Sequence, residues 1–438
     1  MKVLVLLIGA FLFGANSTTH DHSYEELLTH SFYLPFHREA NHTNPLDTLD
    51  RLRFIRLSKE DKNVQTLHDQ INLLEPKKAR PTVLEEIEFR VSNDEFQPQD
   101  QRYDLRFRPT NPLIRKKTEE LFNIRKLQLR ADASKELDQE ILERYELIIA
   151  WLEIQQERTF VNERISINQK RIDWLKEFPG ANFFDAKNFT QAHADVLKLW
   201  SKKTNLEIRL DELERIIASK LGDKMTSNYI LSWGLRSTIT TAHIHTFLRT
   251  TQNESLSQPL QVYLAQLALQ ETQIEQDIER ANFDLGFIQT EYFPNRTNTS
   301  LLGISAGISL PLFQRDRANL MDLSLEEKER SLEVLAKQDE AKQEQNNWNV
   351  HLELLLAKNT ELQQLYAQLN LQEMQQTLQT MDEYEPLEAL EWQEMQLDWQ
   401  EIEHQWYFEM IKTYIGYLSS KGFLSSEPLI DWLDSESY

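Results

Sequence analysis

The stretch Leu301 to Phe313 reads Leu-Leu-Gly-Ile-Ser-Ala-Gly-Ile-Ser-Leu-Pro-Leu-Phe. Leu302, Ile304, Ala306, Ile308 and Leu310 alternate with Gly303, Ser305, Gly307 and Ser309. A strict period of two marks a β-strand whose two faces meet different surroundings. Nearly all of the flanking chain has the spacing of long, charged, amphipathic helix. A strand with one apolar face, set between helices too long for a globular domain, is explained by a short piece of transmembrane β-barrel carried on a long α-helical tube.

The bulk composition agrees. Length alone, 438 residues, suggests two or three globular domains. Only 10 glycines and 13 prolines punctuate the chain, however, and Glu, Gln, Leu, Lys and Arg dominate, as in long helices and coiled coils. A formal net charge of −22 argues against nucleic acid as a partner, because phosphate binding needs a basic face. The absence of cysteine excludes disulfides, thiolate metal sites and a lipid-modified N-terminal cysteine. Met1 to Ser17 has the pattern of a secretory signal: Lys2, an apolar run from Val3 to Phe13, and a small-x-small site at Ala15-Asn16-Ser17. That run is shorter than the ~20 residues of a spanning helix, and no longer one follows. If the chain enters a membrane, it does so with strands.

His20 to Pro81 contains short amphipathic pieces, Tyr24–Leu34 and Val64–Leu74, and five histidines: His20, His22, His30, His37 and His42. These suit either a transition-metal site or a solvated tail. Ile87, Phe89 and Val91 then alternate with Glu86, Glu88 and Arg90, and Tyr103, Leu105 and Phe107 with Asp104, Arg106 and Arg108, giving a hairpin. From Leu113 to Phe178 there is neither glycine nor proline; as helix this is ~100 Å. Its apolar positions (Ile141, Tyr145, Ile148, Leu152, Val161, Ile165, Ile172, Leu175) recur near 3.5 residues, the coiled-coil period. Pro179-Gly180 breaks it, and a helix from Asp185 to Leu221 ends at Gly222. After a connector with a short helix, a heptad helix begins at Pro259 (Leu260, Leu264, Leu267, Ile274, Ile278, Ala281) and leads into a strand through Phe283, Leu285 and Phe287. Asp316 to Glu383 is a second run of ~100 Å, broken near Pro386 and followed by a helix to Ser419.

The halves repeat. Pro109 and Pro311 are 202 positions apart, Gly222 and Gly422 are 200 apart, and Pro179 and Pro386 are 207 apart. An internal repeat of this size is the most informative single feature. It divides the chain into a signal peptide (1–17), an N-terminal segment with short helices (18–81), a first repeat (82–222), a connector (223–258), a second repeat (259–422) and a C-terminal tail (423–438). Four strands cannot close a barrel, and lipid tolerates no open edge; outer-membrane barrels start at about eight strands. The smallest oligomer exceeding that minimum is a trimer, with twelve strands. The fold class expected is therefore mainly α: long antiparallel coiled coils forming a tunnel, four strands per chain given to a twelve-stranded trimeric barrel, and an internal duplication.

With its duplicated hairpin and long-helix layout, and with Gly303–Phe313 running into a Pro-Leu-Phe corner, the chain resembles the TolC-like outer-membrane factors of Gram-negative efflux and type I secretion systems. It departs from the family where Gln314-Arg315 follow the corner and where Glu383-Tyr384-Glu385-Pro386 replaces the usual tip glycine. The resemblance implies a homotrimer in outer-membrane lipid with a periplasmic tunnel, working with a periplasmic adaptor (membrane fusion) protein and an inner-membrane transporter. It implies an acidic ring at the periplasmic tip from Glu388 and Glu391, which stand three apart on one helix face; a ring of carboxylates selects cations. Gly180, Asp185 and Pro386 become tip or adaptor contacts, and Pro311, Leu312 and Phe313 the barrel-to-helix corner.

No catalytic constellation, cofactor motif or metal motif accompanies these features, so no enzyme activity and no cofactor are expected. Trp392, Trp399 and Trp406, spaced by sevens, read as a packing seam; Tyr103, Phe107, Tyr292 and Phe293 suit either an interfacial aromatic girdle or ordinary hairpin packing. The alternative function is a periplasmic or secreted coiled-coil scaffold without a channel. A periplasmic adaptor fits poorly, since it would need a β-rich half that this chain lacks.

Overall fold

The computed structural model describes residues 47–77, 83–93, 101–177, 186–221, 229–231, 233, 239–251, 259–281, 286–293, 301–307, 317–369 and 386–434. In chain order these form β1 (Asp47–Leu49), α1 (Arg51–Arg56), a 3-10 turn (Leu57–Glu60), α2 (Lys62–Leu74), β2 (Leu84–Asn93) and β3 (Gln101–Pro109). Then come α3 (Pro112–Glu177), α4 (Ala186–Leu221), β4 (Tyr229–Leu231), α5 (Thr241–Thr251), α6 (Leu260–Ala281), β5 (Phe287–Phe293), β6 (Leu301–Gly307), α7 (Arg317–Leu369) and α8 (Pro386–Ser420).

α3 has 66 residues, about 100 Å of unbroken helix. Of the coiled-coil positions the sequence marks, Ile141, Tyr145, Ile148, Leu152, Val161, Ile172 and Leu175 are buried, whereas Ile165 is half-buried and Ile167 is buried in its stead. Helix–helix contacts arrange the rods in two tiers. On the β-sheet side the order is α2–α3–α6–α7; on the far side it is α4–α3–α8–α7. α6 departs from its heptad reading. Ile274 and Ile278 are half-buried, and the seam position is taken by Gln276, which donates to Ser324 Oγ on α7 at 2.9 Å.

β2, β3, β5 and β6 form one antiparallel sheet in that order, leaving β2 and β6 as edges. Every tier therefore contributes four elements, and every tier ends on α7 or β6 at one side and on α2, α4 or β2 at the other. The strand expected through Phe283, Leu285 and Phe287 starts instead at Phe287; residues 283 and 285 lie outside the described residues. Gly286, with φ +93°, sits in the left-handed region that favours glycine. Phe287, in register with Gly307, falls on the polar face with Gln289 and Glu291.

Between the two tiers an equatorial body wraps α3 and α8. β1 and β4 pair in parallel, and α1, α5 and residues 421–434 pack with them in one core containing Phe54, Trp233, Ile244, Leu248, Tyr414 and Leu433. The Tyr145 hydroxyl on α3 donates to the Ile430 carbonyl (3.1 Å) and accepts from the Trp432 amide (2.8 Å). Arg51 pairs with Asp431 at 2.8 Å, both buried. Arg144, fully buried, donates to Glu140 (3.1 Å) and to the Phe54 carbonyl (2.8 Å) and stacks on the Phe54 ring. The sequence shows the connector's short helix, now α5, but not this body, whose parallel strands lie about 180 residues apart.

Candidate channel-lining sites

The sheet has two faces of opposite character. Cross-strand register places Ile87, Phe107, Ile288 and Ala306 in one row, Phe89, Leu105, Thr290 and Ile304 in the next, and Val91, Tyr103, Tyr292 and Leu302 in the third. Eleven of the twelve are apolar or aromatic, the exception being Thr290. Ile87, Phe89, Val91, Leu302 and Ile304 each expose 54–71% of their surface in the protomer. Tyr103 lies between Phe89 and Tyr292, with ring centroids 6.3 and 6.4 Å away, an aromatic cluster toward the hairpin ends. Phe107 belongs to the opposite row.

The other face is a ladder of ion pairs. Arg108 meets Glu86 at 2.8 Å, Arg90 meets Glu88 at 2.6 Å, and Arg102 meets both Asp104 (3.0 Å) and Glu291 (2.7 Å). Glu291 also accepts from Gln289 (3.1 Å) and Ser305 (3.4 Å). Arg106 stacks on the Phe287 ring at 3.6 Å, and that ring fills the space over Gly307, where a β-carbon would lie 2.5 Å from Phe287 Cε1. Gly307 has no side chain because the Phe287 ring occupies that space; at Gly303 a β-carbon would meet Glu291 at an ordinary 3.5 Å. An apolar face exposed over a charge-paired one is the arrangement of a strand layer between lipid and a wet lumen.

At the opposite end, α8 begins at Pro386, proline being suited to the first helical position. Glu388 lies in its first turn, where the helix dipole favours a carboxylate; both Glu388 and Glu391 are exposed. Gly180, Asp185, Pro311, Leu312, Phe313 and residues 1–46, including the signal pattern and the five histidines, lie outside the described residues. Among the described residues no cluster is able to hold a metal ion, and no helix is long and apolar enough to cross a membrane.

Sequence reading missed what fastens α8 to α3. Arg171 pairs with Glu394 at 2.8 Å, and Asn168 donates to the same carboxylate at 2.9 Å. Arg164 pairs with Asp398 (2.5 Å) and Glu401 (2.6 Å), and Lys202 of α4 reaches Glu157 (2.9 Å) and Glu401 (3.6 Å). Beneath them Phe160 and Ile167 pack on Leu390 and Leu397. Partners more than 220 positions apart carry no local signal. Trp392 is buried, and toward α7 Trp399 packs edge-on to Tyr366 at 5.2 Å, but Trp406 is 36% exposed, so the tryptophan seam opens toward the equator.

At the equatorial body, half-buried Asp138 on α3 accepts from Ser419 Oγ at 2.8 Å. Burial outweighs the serine hydrogen bonds and pushes its carboxyl up to about 6. Burial likewise raises Asp431, despite its pairing with Arg51.

Solved structures share this architecture. A membrane protein from Pseudomonas aeruginosa matches with TM-score 0.59 and 10% identity over 89% of this chain and 97% of that one. The outer membrane protein VceC from Vibrio cholerae matches with TM-score 0.57 and 10% identity, over 85% and 96%. The CmeC outer membrane channel of Campylobacter jejuni matches with TM-score 0.57 and 11% identity, over 96% of each. No protein-family model matches the sequence, and no curated protein is significantly similar to it. The chain has the TolC fold: helical tunnel rods joined to a four-stranded barrel segment.

Proposed function

We propose that the chain is a passive outer-membrane exit duct, a homotrimer opened by a periplasmic adaptor and supplied by an inner-membrane pump in an efflux or type I secretion system. The observation that carries this reading is the exposed apolar face of the sheet backed by the ion-pair ladder. A soluble scaffold would bury those rows or make them polar.

Ring closure follows from the edges. β2 and β6 leave unpaired backbone groups, which lipid forbids. α4, the outer rod on the far side, and α7, the outer rod of both tiers, each bear an exposed apolar stripe: Leu197, Trp200, Ile208 and Ile216 on one, Leu332, Leu335, Val350 and Leu354 on the other. Joining one side of a copy to the other side of the next is a head-to-tail contact, which closes as a ring. Two copies would give eight strands, a barrel filled by its own side chains. Three give twelve strands over twelve rods in each tier and leave a lumen.

In this reading the α3–α8 bridges hold the tip closed, Glu388 and Glu391 form two acidic rings at its mouth, and chain entry into the outer membrane begins with export by the N-terminal signal. The duct does no chemistry; a similar outer-membrane channel fold in CmeC and VceC supports it. The test is the mass and shape of protein extracted by detergent from outer-membrane fractions. A trimeric cylinder longer than ~100 Å is expected. A monomer or dimer recovered without detergent would replace the duct with a periplasmic scaffold.

A further inference from the structure

Where the strands give way to helices, three helix ends reach one level. Asn111, just before α3, donates to the Ala281 carbonyl at the end of α6 (2.7 Å), and Gln276 of α6 bonds Ser324 of α7 (2.9 Å). With 1.5 Å rise per residue, Arg115, Lys116, Arg280 and Arg317 then fall within a band of about 10 Å along the rods. Their neighbour Lys117 is neutralised by Glu120 (2.9 Å) and Asp277 (3.1 Å). The others are not. Arg115 and Arg317 are exposed and make no ion pair among the described residues. Lys116, 69% exposed, has Glu120 only at 3.9 Å, and Arg280 has Asp277 only at 3.9 Å. The same band exposes Leu113, one turn from Lys116, and Met321, one turn from Arg317.

We infer that this collar binds the headgroups of anionic phospholipid in the leaflet from which the helices emerge. The inference rests on the duct reading. The apolar face of the sheet ends at this level, so a lipid bilayer that covers it brings its headgroup phosphates against these cations. Leu113 and Met321 continue the apolar surface into the headgroup zone, and among the described residues no carboxylate within salt-bridge distance competes for Arg115 or Arg317. A cation beside an anionic surface favours it by about fivefold per charge at physiological salt, and the gain is screened within a Debye length.

The experiment reconstitutes the purified full-length protein in neutral phosphatidylcholine vesicles and in vesicles containing 30% phosphatidylglycerol, roughly the charge density of an anionic leaflet, and compares urea unfolding at low salt and at about 1 M salt. The expected result is a higher unfolding midpoint in the anionic vesicles, abolished by salt and by the combined substitution Arg115→Gln, Lys116→Gln, Arg317→Gln. These positions are exposed, so the variant folds; its midpoint in neutral vesicles should match the parent protein. Equal midpoints in both lipids for the parent, or an undiminished preference in the variant, overturn the collar while leaving the duct intact. Failure to insert into either vesicle overturns the duct reading itself.

Discussion

Replacing Phe89 by arginine tests the proposed membrane face directly. Phe89 stands in the middle of the three apolar rows, beside Leu105 and Ile304, and 63% of its surface is free in the protomer. An aromatic side chain offers ~200 Å², so about 125 Å² awaits a non-aqueous partner, worth about 3 kcal/mol at 25 cal/mol per Å². Phe89→Arg forfeits this and sets a guanidinium near the bilayer midplane, where arginine costs about 2–4 kcal/mol. A loss of about 5 kcal/mol per chain is expected in urea unfolding of vesicle-inserted protein. Ser305→Arg is the control. It follows Ile304 on the opposite face, in register with Gln289 and within reach of Glu291, and should change stability by less than about 1 kcal/mol, as a lumen substitution does. Phe89→Arg within 1 kcal/mol of the parent protein, or Ser305→Arg as damaging as Phe89→Arg, would refute the assignment of the two faces.

Asp138→Asn should raise stability at pH 7.5 and flatten its pH dependence. The folded-state carboxyl titrates at about 6 against 3.8 for the ordinary group, so the native state holds this proton more tightly than the unfolded chain. Its contribution is full below 3.8 and lost as pH rises through 6, costing about 3 kcal/mol at neutral pH; thermal melts from pH 4 to 8 read it. Arg144→Ala removes donors from Glu140 and the Phe54 carbonyl. Lys220 still pairs with Glu140 at 2.7 Å, so the loss should sit near 3 kcal/mol, the low end for a broken buried pair, measured by denaturant unfolding. Gly307→Val drives a branched carbon into the Phe287 ring and should cost about 1–3 kcal/mol by overpacking, again read by urea midpoint. In planar bilayers under a salt gradient, Glu388→Ala with Glu391→Ala should move the reversal potential toward zero. Arg164→Ala with Arg171→Ala should instead raise conductance by loosening α3 from α8. An unchanged reversal potential in the first variant removes the two glutamates from the channel mouth.

The rods and the apolar rows were legible in the sequence because both depend on local periodicity. The 3.5-residue recurrence through Ile141, Tyr145 and Ile148 and the period of two at Ile87–Val91 and Leu302–Ala306 state which face is buried and which meets another medium. The tip glutamates were legible only as two carboxylates on one helix face at a proline break. The structure shows them exposed at the start of α8; their role as a ring belongs to the proposed assembly.

Other features depended on which distant segments meet. The face of Phe287 was decided by its cross-strand register with Gly307, whose bare backbone leaves room for the ring. The α3–α8 bridges join residues more than 220 positions apart, and the equatorial body joins Leu49 to Leu231 and Tyr145 to Trp432. Glutamates and arginines are spread along every helix of this chain, so composition could not say which of them pair. The sequence by itself determined long rods, a two-faced sheet and their duplication, because periodicity is written residue by residue. Which charges lock the rods, which acid is buried and which cations lack a close carboxylate among the described residues where sheet meets helix were settled by tertiary packing alone, since each depends on the partner that the fold brings within a few ångströms.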